Sequence, residues 1–276
     1  MASVEKPKTS RRSVLRAMAA GLIGGTALPT LARNHAYALE VEERDLRLER
    51  WTADGFRIAA ITDLHMNSPQ ETERAIEAAR LAMAAKPDVI MLGGDYVDLK
   101  HHTIIANISR LVAEFNDAAC PVVAIMGNHD YWSTVPRKVV EAFRESRVKM
   151  LLNQTFEVDG VTIAGLDDAI QRAQSYEFFP AGTVSKSLIG LFHEPDFVKD
   201  MPKHVSLQIS GHSHGGQVCL PFGKSMYTPF GARKYVAGFY PDARVPLFVS
   251  RGVGTTGPDY RLFCAPEVSV LTLRSA

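Results

Sequence analysis

The chain has 276 residues, of which 46% are apolar and 22% are charged, with 20 glycines and 15 prolines. This composition is typical of a globular protein and excludes collagen, coiled coils and wholly disordered chains. The 31 basic and 30 acidic side chains nearly cancel. Because no excess of positive charge is available to neutralise phosphates, no nucleic-acid partner is expected.

The N-terminal segment differs in charge from the rest of the chain. Residues 1–38 carry six basic side chains and one acid, a net charge of +5, which leaves −4 for residues 39–276. Residues 17–32 are an uncharged stretch of 16, shorter than the ~20 apolar residues that a membrane-spanning helix needs. Residues 10–16 read SRRSVLR, which resembles a twin-arginine export signal. This pattern predicts a signal peptide.

The segment also sets the predicted domain boundary. Ala36-Tyr37-Ala38 has the small-x-small spacing of a cleavage site, so residues 1–38 are interpreted as the signal and residues 39–276 as one domain. Two alternatives remain open: the signal is retained as a membrane anchor, or the segment is a helix packed on the domain. With either a cleaved or an anchoring signal, the protein is expected in the periplasm or another extracytoplasmic location, and the twin-arginine export machinery is an expected partner.

From residue 39 onward, apolar runs of strand length alternate with segments of helical periodicity, which is typical of an α/β protein. The first half predicts strands at 56–62, 89–92 and 122–126 and helices at 71–85, 104–115 and 136–147. The second half predicts strands at 155–158, 161–164, 188–192, 205–209, 246–249 and 268–273. Residues 221–240 fit no regular element, and a loop of this length is expected to border the functional site.

Five of the predicted strands run directly into residue types that bind metals. In an α/β sheet the carboxyl ends of parallel strands face one crevice, so these strand ends can converge. A single such residue would mean little, because a lone aspartate before a helix is usually a cap. The five strands are followed by Asp63-Leu64-His65, Gly94-Asp95, Gly127-Asn128-His129-Asp130, His193 and Gly211-His212-Ser213-His214.

Seven of these residues are candidate metal ligands. Imidazole and carboxylate ligands favour zinc or a transition metal over calcium, and the three cysteines lack the C-x-x-C spacing of a structural zinc site. A single catalytic zinc uses about three protein ligands, whereas two ions roughly 3.5–4 Å apart are a recurrent device for phosphate-ester hydrolysis. The candidates are Asp63, His65, Asp95, Asn128, His193, His212 and His214.

The motifs D-x-H, G-D, G-N-H-D, a single H and G-H-x-H, in this order over residues 56–214, resemble the calcineurin-like metallophosphoesterase superfamily. The motifs at 165–168, 193–196, 211–218 and 252–273 resemble its bacterial exported, YkuE-like branch. The resemblance implies a four-layer α/β/β/α sandwich of two mixed sheets, with a dimetal site at the carboxyl ends of the strands.

The resemblance also implies a role for each residue. Two divalent ions (manganese, zinc or iron) would be held, and a water bridging them would attack phosphorus. His129 would protonate the leaving group, with Asp130 orienting its imidazole. Asp63, His65 and His214 are assigned to the first metal, Asn128, His193 and His212 to the second, and Asp95 to both as the bridge.

The position three residues after the bridging aspartate holds a tyrosine ligand in the purple acid phosphatases of this superfamily, and here it is Asp98. An iron(III)–tyrosinate centre is therefore not expected. Asp98 is interpreted either as a partner of a metal ligand or as the cap of the next segment.

These observations predict an exported, dinuclear metal-dependent phosphohydrolase with a preference for diesters. Its candidate substrate is a lipid or glycolipid phosphate of the cell envelope, with peripheral association with the membrane or envelope. The alternative is a non-catalytic metal- or envelope-binding protein. Because pure metal binding does not require His129 and Asp130, their presence favours the enzyme.

Overall fold

The computed structural model describes residue 32 and residues 36–98, 103–180 and 187–276, which form two six-stranded sheets packed face to face. Most of the predicted signal lies outside the described residues, namely residues 1–31 and 33–35. The strands of the first sheet are β1 (Glu40–Leu48), β2 (Phe56–Ile61), β3 (Val89–Leu92), β4 (Val122–Ala124), β5 (Lys149–Met150) and β12 (Glu267–Ser275). Those of the second are β6 (Gln154–Val158), β7 (Val161–Gly165), β8 (Leu188–Leu191), β9 (Leu207–Ser210), β10 (Gly238–Tyr240) and β11 (Leu247–Val249).

The first sheet has the order β1-β12-β2-β3-β4-β5. Strands β2 to β5 are parallel neighbours, as the βα pattern predicts, while β12 runs antiparallel to β2 and parallel to β1. The second sheet has the order β10-β11-β9-β8-β7-β6, with β7, β8, β9 and β11 parallel. Both sheets are therefore mixed, which confirms the predicted fold class.

Helices cover the outer face of the first sheet. They are α1 (Pro69–Ala84), α2 (Ile104–Glu114), the short α3 (Asn128–Trp132) and α4 (Pro136–Arg144). Helix α1 begins at a Ser68 cap whose hydroxyl accepts from the Glu71 amide, with Pro69 in the first turn, a combination that favours helix initiation. The buried faces of α1, α2 and α4 form one apolar cluster with β3 and β4.

A second apolar cluster fills the space between the sheets, with side chains such as Ile58 of β2 and Ile189 of β8. A third lies on the outer face of the second sheet, where a 3-10 helix (Pro195–Asp200) and loops pack over β8 and β11. Within residues 145–180 and 187–276 the structure contains no α-helix. The fourth layer of the sandwich is thus built from short turns, since Pro195 and Pro202 leave little room for a continuous helix and bulky aromatic side chains cover the sheet instead.

Some element boundaries differ from the predicted ones. Strand β1 escapes prediction because only Leu46 and Leu48 of its nine residues are buried, so it lacks an apolar run. Strand β10 lies at the end of the predicted loop 221–240. Helix α4 stops at Arg144, before the predicted end at residue 147.

The residues next to the predicted cleavage site contact the domain. Ala36 is fully buried and its carbonyl accepts from Nη1 of the buried Arg74 at 2.6 Å. The Arg74 guanidinium also lies over the Tyr37 ring, 5.1 Å from its centroid, and the Tyr37 hydroxyl donates to Asp259. Ala32 accepts from the Arg261 amide. No helix among the described residues is long and apolar enough to cross a bilayer.

A chain that starts at Leu39 should be less stable than one that starts at Ala32. It lacks the carbonyl and the ring that contact the Arg74 guanidinium, and a hydrogen bond to a charged group contributes roughly 1.5–3 kcal/mol. We expect a loss of about 2 kcal/mol, or a melting temperature lower by ~4–8 °C. Thermal unfolding of the two purified chains measures this. Equal melting temperatures would contradict a structural role for residues 32–38.

Candidate metal centre

The seven predicted ligands lie after the carboxyl ends of strands from both sheets and meet at one end of the sandwich. The first sheet supplies four of them, after β2, β3 and β4, and the second supplies three, after β8 and β9. All are buried, with at most 4% of each residue exposed. In chain order they are Asp63, His65, Asp95, Asn128, His193, His212 and His214.

The backbone at this end is held in an uncommon conformation. Five of the seven residues have positive φ angles between 45° and 66°, a region that few residues other than glycine adopt. Such conformations cost of order 1–3 kcal/mol each and concentrate at functional sites. Here they turn side chains inward at the strand ends. The five are Asp63, His65, Asp95, His212 and His214.

Two glycines of the motifs leave room for the carboxylates. A Cβ atom on Gly127 would lie 2.3 Å from Oδ1 of Asp95, and one on Gly211 would lie 2.4 Å from Oδ2 of Asp63. Both distances are shorter than any tolerable contact. The glycines before Asn128 and His212 are therefore required by the packing of the centre.

Asp63, His65 and His214 form the first cluster, with one ligand atom of each within 4.8 Å of the others. The Nε2 atoms of His65 and His214 are 3.1 Å apart, and His214 Nε2 lies 3.7 Å from Oδ1 of Asp63. This is the grouping that the resemblance assigns to the first metal.

Asp95, His193 and His212 form the second cluster. Oδ2 of Asp95 lies 3.1 Å from Nε2 of His193 and 3.7 Å from Nε2 of His65 in the first cluster. One carboxylate oxygen thus faces both clusters, which is the placement that a bridging ligand requires. Asn128 lines the same cleft beside Asp95 and His212.

Backbone carbonyls orient two of the imidazoles. Nδ1 of His193 lies 2.7 Å from the Gly93 oxygen, and Nε2 of His212 lies 2.8 Å from the Phe230 oxygen. Because a carbonyl can only accept, each of these nitrogens carries the proton and the opposite nitrogen faces the cluster. Contacts of this kind fix the tautomer of metal-binding histidines.

The donor set fits two divalent metal ions. Among the described residues, Oδ2 of Asp63 and Oδ1 of Asn128 are buried without a hydrogen-bond partner. Such atoms are costly to bury unless a ligand compensates them. Oxygen and imidazole donors without thiolates suit manganese, iron or zinc. The first cluster would hold one ion, the second cluster with Asn128 the other, and Asp95 both.

The imidazoles divide into two that favour a proton and two that do not. Burial opposes charge on His65, but the hydrogen bond and charge of Asp98 outweigh it and raise the His65 pKa to about 9. Burial likewise opposes charge on His193, and the Asp95 carboxylate raises its pKa well above the usual value. Burial and the charge of His193 lower the pKa of His212 to about 4, and burial and His65 lower that of His214.

The candidate acid His129 lies at the edge of the centre, with its ring 4.9 Å from those of His65 and Trp132. The carboxylate next to its Nδ1 belongs to Asp98, whose Oδ1 also lies 3.2 Å from Nδ1 of His65. The other oxygen, Oδ2, accepts from the Asn67 amide at 2.9 Å. Of the two interpretations of Asp98, the contacts favour the partner of a ligand.

Asp130 has a different position from the predicted one. Its carboxylate accepts from the backbone amides of Gly127, Asp95, Tyr96 and Val97, at 2.8–3.3 Å, and is fully buried. The expectation that Asp130 orients the imidazole of His129 is therefore corrected: Asp98 occupies that place. Asp130 instead ties the loop after β3 to the loop after β4, and it positions the bridging carboxylate of Asp95.

Sequence reasoning missed a second positioning residue, Arg261. Its guanidinium is fully buried and donates to the carbonyls of His214, Gly254 and Arg251, at 3.2, 2.7 and 2.8 Å. It therefore supports the backbone of a predicted ligand from behind. A buried arginine that bonds mainly to backbone carbonyls has no sequence signal, because any residue can supply a carbonyl.

A cleft of about 690 Å³ opens onto the centre. Its floor includes Asp95, Asn128, His129 and His214, and its walls are largely apolar. Most of one wall comes from the predicted loop 221–240, which does border the site. The apolar wall residues are Trp132, Ile170, Val218, Met226, Tyr227, Pro229, Phe230 and Pro258.

Replacing Asp130→Ala should destabilise the metal-free protein by about 3–5 kcal/mol, because several buried amides would lose their acceptor. Urea unfolding measures the change. Glu77→Ala, which removes an exposed carboxylate from α1, is the matched control and should stay within about 0.5 kcal/mol of the parent. Equal effects of the two substitutions would contradict the role assigned to Asp130.

Metal binding at pH 7 should release about two protons, since His65 and His193 hold theirs in the metal-free protein and ligation requires neutral imidazole. Apparent affinity should therefore rise as the pH increases toward 9. Calorimetric titration with Zn²⁺ or Mn²⁺ in buffers of different ionisation enthalpy counts the protons. His204→Gln, outside the centre, should leave the count unchanged. Binding without proton release would refute the assignment.

Known proteins are similar to this chain over most of its length. A family model described as calcineurin-like phosphoesterase matches residues 56–216. The chain is 31% identical to the metallophosphoesterase YkuE of Bacillus subtilis, in an alignment that covers 97% of this chain and 99% of YkuE. It is 27% identical to the phosphodiesterase YaeI of Escherichia coli, over 96% of this chain and 99% of YaeI. A metallophosphoesterase of Aquifex aeolicus is 28% identical, over 86% and 93%.

The family model covers more than half of the chain, and the alignment with YkuE covers nearly all of it. The two donor clusters agree with the chemistry of that family. The chain therefore belongs to the calcineurin-like phosphoesterase family and is a metal-dependent phosphoesterase.

Proposed function

We propose that the protein hydrolyses phosphodiesters that carry an apolar group, such as a lipid or glycolipid phosphate of the cell envelope. The observation that carries this proposal is the cleft, in which a polar floor of metal-ligating residues lies below largely apolar walls. A phosphate bound at the floor would leave its organic substituent in contact with those walls. The apolar contact would then contribute to binding through burial.

The charge of the cleft supports a diester. Among the described residues that line it, none is a lysine or an arginine. A phosphate monoester carries up to two negative charges and is usually bound by such cations, whereas a diester carries one. The name of the relative YaeI, a phosphodiesterase, agrees with this preference.

The chain's own residues supply binding and proton transfer. Two divalent ions, when bound, supply an activated water and positive charge beside the phosphoryl oxygens. His129 lines the cleft, so its Nε2 can give a proton to the departing oxygen while Asp98 holds Nδ1. Burial opposes charge on Asp98, but hydrogen bonds with His129 and His65 keep its pKa well below the usual range. The carboxylate is therefore ionised at neutral pH and can accept a hydrogen bond from Nδ1 of His129.

Export forms the second part of the proposal. It is supported by the SRRSVLR run at residues 10–16 and by the uncharged stretch that follows. The twin-arginine machinery carries proteins that are already folded, which agrees with a centre assembled before transport. The periplasm or another extracytoplasmic compartment is the proposed location, with the signal either cleaved near residue 38 or retained as an anchor.

Hydrolysis of bis-p-nitrophenyl phosphate and p-nitrophenyl phosphate by the full chain, stripped and then reloaded with manganese, zinc or iron, tests the activity. We expect metal-dependent turnover with a higher kcat/KM for the diester. Acylated and deacylated glycerophosphodiesters test the apolar group, and the acylated form should have the higher kcat/KM. A higher kcat/KM for the monoester, or no effect of the acyl chains, would contradict the corresponding part of the proposal.

His129→Ala should lower kcat by roughly 10²–10⁴-fold, the usual contribution of a general acid, while the protein still binds two ions. Asp98→Asn should lower kcat less and shift the alkaline limb of the pH profile to lower pH, because a general acid acts only while protonated and the substitution removes the carboxylate beside Nδ1 of His129. Metal content from elemental analysis accompanies each rate. If metal is lost together with activity in His129→Ala, the assignment of His129 as the acid is wrong.

A further inference from the structure

The exposed apolar side chains of the described residues concentrate around the mouth of the cleft. Eight large apolar residues are exposed, and six of them lie on α3 or on the loop after β9. A contiguous exposed apolar patch marks an interaction surface. The six, which we call the apolar rim, are Trp132, Leu220, Phe222, Met226, Tyr227 and Phe230.

The most exposed member, Phe222, is at the tip of an ordered hairpin. The Met226 amide donates to the Val218 carbonyl, and the Leu220 amide donates to the Lys224 carbonyl at 2.9 Å. Gly223, with a φ of 81°, closes the turn. Phe222 is 98% exposed because the hairpin projects it away from the domain, and burying such a ring would stabilise a complex.

The segment that carries most of the apolar rim contains basic residues and no acidic ones. Residues 201–241 contain no aspartate or glutamate and include four basic residues. Lys224 lies beside Phe222 at the hairpin tip, and Arg233 and Lys234 are exposed shortly after the rim. The nearby Asp196 carboxylate accepts from the backbone amides of residues 233–235. Apolar tips next to basic side chains complement an anionic lipid surface.

The N-terminal end of the described chain lies on the same side of the domain. The Ala32 carbonyl accepts from the Arg261 amide, and the Tyr37 hydroxyl donates to Asp259. Residues 256–258, immediately before these partners, line the cleft. Ala32, the last residue of the uncharged stretch, therefore contacts a segment that borders the cleft, on the same side of the domain as the apolar rim.

We propose that the apolar rim docks the protein on an anionic lipid bilayer, with the mouth of the cleft facing the lipid. The rim side chains enter the boundary between headgroups and acyl chains, and Lys224 and Arg233 contact the anionic headgroups. A lipid-linked phosphate then reaches the centre without leaving the interface. The inference extends the proposed function to a partner surface, while the docking itself requires neither metal nor turnover.

The two tryptophans of the chain provide a direct test of orientation. Trp132 belongs to the rim, whereas Trp51 is buried between the sheets with 3% exposure. The full chain is mixed with phosphatidylcholine vesicles containing one quarter phosphatidylglycerol brominated in its acyl chains. We expect quenching of the Trp132 emission, and no quenching in Trp132→Phe, which retains Trp51. Vesicle binding without quenching would show that another face docks and would overturn the proposal.

Co-sedimentation with the same vesicles, without bromine, tests the residues. Phe222→Ser with Met226→Ser should weaken binding about tenfold or more, and Lys224→Glu with Arg233→Glu should weaken it about fivefold or more per charge. Val41→Ser, an exposed apolar residue on the edge strand β1, is the matched control and should bind like the parent. Circular dichroism confirms that each variant is folded.

Three results would overturn the docking. The first is equal vesicle binding by the rim variant and Val41→Ser, and the second is equal binding to vesicles with and without phosphatidylglycerol. The third is a parent chain that does not bind vesicles but forms dimers in sedimentation equilibrium, with the dimers lost in the rim variant. Hydrolysis of bis-p-nitrophenyl phosphate by the same samples separates the two proposals. Hydrolysis without vesicle binding would refute only the docking, and vesicle binding without hydrolysis would refute only the proposed function.

Discussion

The centre places buried carboxylates and imidazoles so close together that their lone pairs repel one another. The structure around the centre has to oppose this electrostatic repulsion. Without positive charge the arrangement is unfavourable, since buried acceptors without donors cost free energy. Protons on His65 and His193 relieve part of the conflict, and divalent ions would relieve more. The strained φ angles, the close glycines and the Asp130 contacts all hold the backbone against this repulsion.

The strand ends were predictable because an apolar run followed at once by Asp, Asn or His leaves a clear pattern in the sequence. The same logic predicted the order of the βα units and the seven candidate ligands, which the structure brings together at one end of the sandwich. It failed where the partner is a backbone group: Asp130 binds amides on two loops, and no side-chain pattern encodes them. Strand β1 was missed since its pairing with β12 depends on backbone hydrogen bonds rather than on an apolar run. The export signal and the domain boundary remain predictions.

The floor and the walls of the cleft have different roles and are built from different kinds of structure. Its floor is built from strand ends, which are rigid and fix the geometry of the donors. Its walls come from α3 and from the hairpin and loop after β9, which rest on fewer backbone contacts with the sheets. Changes in the walls could therefore alter which ester enters while the floor keeps the same chemistry.

Strand β12 lies between β1 and β2 in the first sheet, so Glu40 pairs with Glu267 across most of the sequence. During synthesis β1 and β2 emerge early, but the strand that joins them emerges long after both. Pairings between such distant segments form slowly, because a long loop must close first. The loop after β2 carries Asp63 and His65, so this half of the centre cannot be secured while the ribosome is still adding residues before 267. Assembly of the centre therefore waits for the synthesis of β12.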